Sequence, residues 1–223
     1  MQVENTPISA REPISISFDT REIVFESARF SGGGSNVTIA GTKALQAGRN
    51  NSLSIDGRIN LALLNVFPQI AGSDNFFGGF ADLEMRLIGP NETARLSGSA
   101  VLDDASFATF IGSDRLSFDR LQGRILFTSN QVQVDQATGY LGGGRIVANG
   151  GALLDDSLQL YSFRVDITGN NITVPLPEGF ITTGDAQLEI ADSNVGDDLP
   201  TLISGRIRAR RRVYTQDIDL SRV

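Results

Sequence analysis

The sequence predicts an all-β protein built from one curved antiparallel sheet. Apolar and polar residues alternate with period two through most of the 223 residues, which is typical of strands with one buried face. Short clusters of glycine, asparagine and aspartate separate these segments, so consecutive strands joined by tight turns form a meander. Many of the 24 glycines stand at strand starts and predict bulges and bends that curl the sheet.

The pattern gives about fourteen strands and no segment of helical length. They are predicted at residues 14–18, 23–30, 37–39, 53–55, 59–63, 80–88, 96–102, 123–127, 132–134, 158–167, 172–174, 181–190, 201–213 and 216–223. The segment 61–67 is alternatively a short helix that ends before Pro68.

Several turns are predicted between these strands. The glycine triplets 32–34 and 142–144 each close a hairpin, and Asp56-Gly57 is a favoured two-residue hairpin turn. The segment 149–151 is a further turn, and the strand 158–167 that follows it ends at Gly169-Asn170. Residues 103–114 are the least strand-like, with Phe107 and Phe110 at helical spacing, which indicates a helical turn or a wide loop.

Matching blocks indicate an internal repeat of about 105 to 110 residues. Segment 28–37 parallels 138–147, segment 81–85 matches 186–190, and Ser97-Gly98 matches Ser204-Gly205. The three blocks keep their order along the chain. We therefore predict one continuous unit over residues 1–223, with a first repeat at 13–114 and a second at 115–223.

The composition argues against several function classes. A net charge of −7 argues against nucleic acid as a ligand, because phosphate binding needs a basic face. The absence of cysteine excludes disulfides and thiolate metal sites, and the absence of histidine removes the commonest general base and zinc ligand. We therefore expect no enzyme, cofactor or metal. A carboxylate glycosidase stays the one enzymatic alternative, and it would need two Asp or Glu side chains in a cleft.

Charged motifs have plain structural interpretations. The pairs Asp103-Asp104, Asp155-Asp156 and Asp197-Asp198 lack the spacing of a calcium loop, so we interpret them as caps of local turns. Four arginines at spacing two, at positions 206, 208, 210 and 212, predict one charged face of a strand. That face is either solvated or contacts an anion such as a lipid phosphate. No apolar run approaches the roughly 18 residues that predict a membrane span.

The succession of strand motifs resembles the TamB family of the AsmA superfamily. In that family a G-x-(apolar)-x-(apolar) strand, an a-L-L-n turn and a gGG-x-(apolar) strand recur in this order. The corresponding segments here are residues 56–65, 80–90, 96–102, 121–127 and 142–146. These motifs are β-strand patterns, so their order carries the resemblance, which covers nearly the whole chain.

The resemblance implies a β-taco, a U-shaped antiparallel sheet with an apolar concave groove. It implies a periplasmic rod whose full-length protein is anchored in the inner membrane by a helix absent from this chain. It also implies phospholipid transfer to the outer membrane, a TamA- or BamA-type barrel as partner, and neighbouring β-taco segments on either side. A structural or adhesive β-solenoid with a self-filled core, binding a protein or glycan on its polar face, is the alternative.

Alternation selects the side chains that we expect on the apolar inner face, and the resemblance selects phospholipid acyl chains as their ligand. The predicted groove residues are Leu83, Met85, Leu96, Ile125, Phe127, Val132, Val134, Leu158, Leu160, Leu188 and Ile190.

Overall fold

The computed structural model describes residues 2–3, 6–7, 15–66, 75–111, 114–176, 180–192 and 201–214. The strands are β1 (Gln2–Val3), β2 (Thr6–Pro7), β3 (Ser15–Phe18), β4 (Glu22–Gly32), β5 (Ser35–Ala44), β6 (Asn50–Asn60), β7 (Phe76–Pro90), β8 (Arg95–Ile111), β9 (Asp114–Ser129), β10 (Gln131–Leu141), β11 (Gly144–Leu154), β12 (Leu160–Leu176), β13 (Phe180–Asp192) and β14 (Thr201–Tyr214). Two 3-10 segments lie at Leu61–Val66 and Asn91–Thr93.

Strands β3 to β14 form one open sheet of 12 strands in chain order. Every neighbouring pair is antiparallel, and β1 and β2 form a separate small hairpin. The predictions of an all-β class and an antiparallel meander are therefore confirmed. The 3-10 segment Leu61–Val66 also confirms the helical alternative predicted for this region.

Two predicted turns are wrong because their glycines lie inside strands. Asp56-Gly57 belongs to β6, and the predicted turn at 149–151 belongs to β11. A Cβ at Gly57 would lie 2.1 Å from the Asn36 carbonyl oxygen, and one at Gly150 would lie 2.4 Å from the Arg164 carbonyl oxygen. Both glycines therefore permit a close approach of the neighbouring strand. From the sequence alone, a glycine with this role cannot be distinguished from a glycine in a turn.

Two strands continue through positions where the sequence suggested an end. Residues 103–111 belong to β8, and β12 runs unbroken through Gly169-Asn170. In both cases a β-bulge with a positive φ interrupts the alternation, at Asp104 with φ 50° and at Asn171 with φ 54°. A bulge shifts the side-chain pattern by one residue, so a single strand looks like two elements. The predicted strand 216–223 and the pair Asp197-Asp198 lie outside the described residues.

Four bulges line up across the sheet, whereas the bulge at Asn171 on β12 lies nearer the β10–β11 turn. Irregularities at Gly79, Asp104, Arg120 and Gln136 occur at neighbouring positions of β7, β8, β9 and β10. On β11, the Asn149 side chain accepts the Gln136 N–H at 3.1 Å. Each bulge bends its strand, so together they bend the sheet along one line, which we call the crease.

The crease divides the sheet into two halves that pack differently. The packed half lies on the side of the Gly142-Gly143 turn, and the open half lies on the side of the β7–β8, β9–β10 and β11–β12 turns. The buried core cluster is centred on the packed half. Its members are Leu116, Phe118, Leu141, Ile146, Ile167, Ile172, Val174 and Ala186.

The burial of this cluster reflects a strong curl of the sheet. Leu141 and Ile146 are 1% exposed and Ile172 is 0% exposed. Cα atoms of β9 and β12 come within 8 Å of each other, although two strands separate them in the sheet order. In a flat sheet, three spacings of about 4.8 Å would place these strands roughly 14 Å apart. The single sheet therefore forms its core by curling onto itself.

The blocks of the predicted repeat occupy strands that lie six apart. The glycine triplets close the hairpins β4–β5 and β10–β11, and the blocks 81–85 and 186–190 lie on β7 and β13. Gly98 on β8 and Gly205 on β14 both have a positive φ, 133° and 145°. The two repeats stay a prediction, and within the described residues they share one uninterrupted sheet.

Candidate apolar groove

One face of the sheet carries an apolar row that crosses eleven consecutive strands, from β4 to β14. Its members are direct cross-strand partners: Phe30, Val37, Gly57, Leu83, Ala100, Ile125, Val134, Gly150, Val165, Ile190 and Ile203. Opposed residues of neighbouring strands point to the same side. We call this side the apolar face and the other the polar face.

A second apolar row runs beside the first. It comprises Ala28, Ile39, Ile55, Met85, Gly98, Phe127, Val132, Ala152 and Phe163. Next to it, on β5 to β8, Gly41, Leu53, Leu87 and Leu96 are paired in the same way. The apolar face is therefore several side chains wide across the middle of the sheet.

The side chains of these rows are partly buried but not fully excluded from solvent. Apart from Ile203 on the edge strand, which is 47% exposed, the large apolar side chains of the two rows are buried or half-buried. Large apolar side chains on the polar face are more exposed, for example Ile88 at 54% and Leu153 at 40%. The described residues form no second sheet large enough to cover the apolar face. Its shelter therefore comes from the curl of the sheet itself.

Nine of the eleven predicted groove residues lie together on the apolar face of the open half. They are Leu83, Met85, Leu96, Ile125, Phe127, Val132, Val134, Leu188 and Ile190. All nine are half-buried. Leu188 is opposite Ile167 on one side and Gly205 on the other, and it packs against the edge of the core cluster.

The other two predicted groove residues lie elsewhere. Leu158 is part of the turn before β12, where its N–H donates to the Asp155 carbonyl oxygen at 2.9 Å and its φ is 61°. Leu160 is 47% exposed and pairs with Leu154 at an irregular end of the ladder. The alternation of β12 is set by Phe163 and Val165 instead. These two were missed, although they alternate with Ser162, Arg164 and Asp166 in the sequence.

The polar face contains its own shallow depressions. A volume of about 730 Å³ lies over β10 to β13, with Gly150 and Gly151 in its floor and Arg164 and Glu189 in its wall. Tyr161 lines it with 67% of its surface exposed. Neighbouring depressions of about 400 and 640 Å³ continue over β12 to β14. The polar face is thus hollowed over β10 to β14, as twist combined with bending produces.

Cross-strand ion pairs cover the polar face. Arg164 contacts Glu189, and its Nε lies 3.9 Å from Asp166 Oδ2. Asp166 and Glu189 are direct partners on β12 and β13. One guanidinium therefore contacts carboxylates of both strands.

The predicted row of four arginines on one face is wrong in one respect. A register shift opposite Thr183 and Gly184 leaves Arg210 as an extra residue of β14. Arg206 and Arg208 therefore share the polar face with Arg211, while Arg212 is opposite the buried Thr182 on the other face. Arg210 donates to Asp185 at 2.7 Å. This hydrogen bond, aided by the Asn171 N–H, lowers the pKa of Asp185.

The aspartate pairs behave differently from one another. Asp155 caps its turn as predicted, since its Oδ1 accepts the N–H groups of Ser157 and Gln159 at 2.8 and 2.9 Å. Asp103 lies in a strand instead, where it contacts Arg58. In the part of the chain that the structure describes, acidic residues form no group of three or more that could hold a metal ion.

Comparison with known proteins gives no relative: no family model, no curated protein and no solved structure matches the chain. Among the helical segments of the described ranges, none is long and apolar enough to cross a membrane.

Proposed function

We propose that this chain is a segment of a bridge-like lipid-transfer protein that shields phospholipid acyl chains on its apolar face. The observation that supports this most is the apolar row shared by eleven consecutive strands. Ten spacings of about 4.8 Å give it a length of roughly 48 Å, which exceeds the roughly 30 Å hydrocarbon core of a bilayer.

The split of the sheet at the crease favours a ligand in the open half. The packed half satisfies its apolar side chains with one another, as Leu141 and Ile146 show at 1% exposed. The open half leaves most of its large apolar side chains only half-buried, as at Leu83, Phe127 and Val134. A continuous apolar strip of this kind promotes aggregation unless a ligand covers it, and acyl chains have the matching shape and chemistry.

The likeness to the TamB family supplies the cellular setting of this proposal. In that setting the protein acts in the periplasm, carries phospholipid between inner and outer membranes, and supports outer-membrane biogenesis with a TamA- or BamA-type barrel. Neighbouring β-taco segments would pair with the edges of the sheet, where β14 presents fourteen residues of backbone. Such a protein guides lipid and performs no covalent chemistry.

Mass spectrometry of lipids that copurify with the chain tests the proposal. We expect glycerophospholipids at a defined ratio to protein, released by organic extraction and replaced by added short-chain phospholipid. A folded chain that binds neither cellular nor added phospholipid would contradict the function.

A second function has one observation in its favour. The depression of about 730 Å³ on the polar face, with its exposed Tyr161, suits a glycan or a protein segment. In that case the sheet is a structural or adhesive scaffold. Tyr161→Ala would then abolish binding of the partner and leave lipid content unchanged, whereas the lipid-transfer function predicts no phenotype for this variant.

A further inference from the structure

Lys43 is the only lysine of the chain and lies on the apolar face. On β5 it is opposite Ile23 and on the same side as Ile39 and Gly41, which belong to the apolar rows. Lys43 stands one position beyond Gly41 in this alternation, at the rim of the open half, where β5 approaches its turn into β6. A cation therefore borders the apolar surface.

The contacts of Lys43 involve neutral oxygens. Its Nζ donates to the Ala44 carbonyl oxygen at 3.0 Å and to Asn91 Oδ1 at 2.7 Å. Among the ion pairs between described residues, none includes Lys43. An ammonium group has three donors, so one N–H of this half-buried group remains for another acceptor.

Two neighbouring cations of this rim are already paired. Arg49 lies 3.2 Å from Glu22, and Arg21 lies 2.8 Å from Asp19. The nearby carboxylate of Glu92 accepts the Gly48 N–H at 2.7 Å. Lys43 has no acidic partner among the described residues and lies on the apolar face, so an anion there would gain a charge-assisted hydrogen bond.

The surface next to Lys43 determines which anion fits. Gly41, Leu53 and Leu87 form the adjoining apolar row, and both leucines are half-buried. A ligand on this surface therefore meets a cation at the rim and hydrocarbon immediately inside it. We infer that Lys43 binds the head-group phosphate of a phospholipid whose acyl chains lie on Leu53 and Leu87. This inference rests on the proposed lipid function and assigns its head-group site.

Two ligands with the same chains separate head-group binding from acyl binding. Dioctanoyl phosphatidylglycerol carries the phosphate and dioctanoylglycerol lacks it. Below their micelle-forming concentrations, we expect the native chain to bind the phospholipid about tenfold more tightly, the ratio for one charged hydrogen bond. Lys43→Gln should reduce phospholipid affinity about tenfold and leave diacylglycerol affinity unchanged. Glutamine retains an N–H₂ group for the two existing acceptors, and a thermal melt checks its fold.

Matched variants and ligands make each outcome decisive. Lys43→Arg should restore the phospholipid preference, and Arg49→Gln, which removes a cation already paired with Glu22, should leave it intact. Inorganic phosphate at millimolar concentration should not compete with the phospholipid, because it lacks the acyl chains. Effective competition by phosphate would show that Lys43 binds a free anion and not a lipid head group. Equal binding of both lipids by the native chain and by Lys43→Gln would overturn the head-group site but preserve the lipid function. Binding of neither lipid would overturn both.

Discussion

Leu188→Asp distinguishes an open apolar groove from a self-filled core, because the two arrangements treat a new carboxylate differently. Leu188 is half-buried on β13, between the 5%-exposed Ile167 and Gly205, which has no side chain. One flank of the new aspartate would therefore adjoin packed hydrocarbon. The other would lie beside Gly205 on the edge strand β14, where water reaches it when no lipid is bound.

The expected loss of folding stability follows from the burial of the Leu188 side chain. Full burial of a leucine side chain contributes about 1.5 to 3 kcal/mol, so the half-burial of Leu188 contributes about 0.8 to 1.5 kcal/mol. A carboxylate that keeps its water adds little to this loss. The total is well below the roughly 5 to 15 kcal/mol by which native domains are stable. Leu188→Asp should therefore fold, and its charge should exclude acyl chains, which would have to strip its water.

Urea unfolding followed by circular dichroism measures the loss of stability, and lipid extraction with phosphorus analysis measures the bound phospholipid. We expect a folded variant with much less phospholipid than the native chain. Gln187→Asp is the matched control, because it introduces the same group one residue away on the polar face and should change neither quantity. Ile167→Asp is the opposite control and should unfold the chain, since it buries an unpaired charge.

Two results would refute this reasoning. Global unfolding of Leu188→Asp, comparable with that of Ile167→Asp, would show that the packed core extends through the open half. A folded Leu188→Asp variant with normal phospholipid content would remove Leu188 from the lipid path.

Three further predictions concern the sheet. Gly98→Ala should cost at least about 2 kcal/mol more than Gly48→Ala in urea unfolding, because a Cβ at Gly98 would lie 2.0 Å from the Glu84 carbonyl oxygen, whereas one at Gly48 meets nothing within 4 Å and incurs only backbone strain. Backbone N–H donation from Arg21, aided by its side chain, lowers the pKa of Asp19 to about 2. The ionised carboxylate therefore stabilises the β3–β4 turn fully above its ordinary pKa of 3.8, and this contribution is lost as the pH falls toward 2. An NMR titration of Asp19 would detect the lowered pKa. Asp19→Asn should abolish this pH dependence of stability. Replacing arginines 206, 208, 210 and 212 by glutamine should shift stability by no more than about 1 kcal/mol in thermal melts and leave lipid content unchanged. Their one ion pair with a described residue, from Arg210 to Asp185, is largely exposed and contributes little. A selective loss of anionic lipid would instead assign these residues to head-group contact.

The alternation of apolar residues was sufficient to predict the fold class and most of the candidate face. It succeeds where a strand keeps one register along its length, as between Leu83 and Met85 or between Val132 and Val134. It fails after a bulge, because one extra residue exchanges the two faces. Arg212 is on the opposite side from its predicted position for this reason, since Arg210 is the extra residue.

Glycine was the other source of error. Gly57 and Gly143 look alike in the sequence, yet Gly57 admits a neighbouring strand and Gly143 turns the chain. Only the position of the opposing strand distinguishes these two uses, and that position depends on register over long distances. The crease was also hidden from the sequence. Its bulges at Asp104, Arg120 and Gln136 involve residues other than glycine.

The strictly consecutive strand order determines how such a molecule can be synthesised and how its length can evolve. Each strand of the large sheet pairs only with its sequence neighbours. Hairpins can therefore form one after another as the chain leaves the ribosome, because their pairing does not require distant segments. Duplication or loss of one hairpin would change the sheet by about 10 Å and create only one new junction. The length of such a meander can therefore change in steps of two strands.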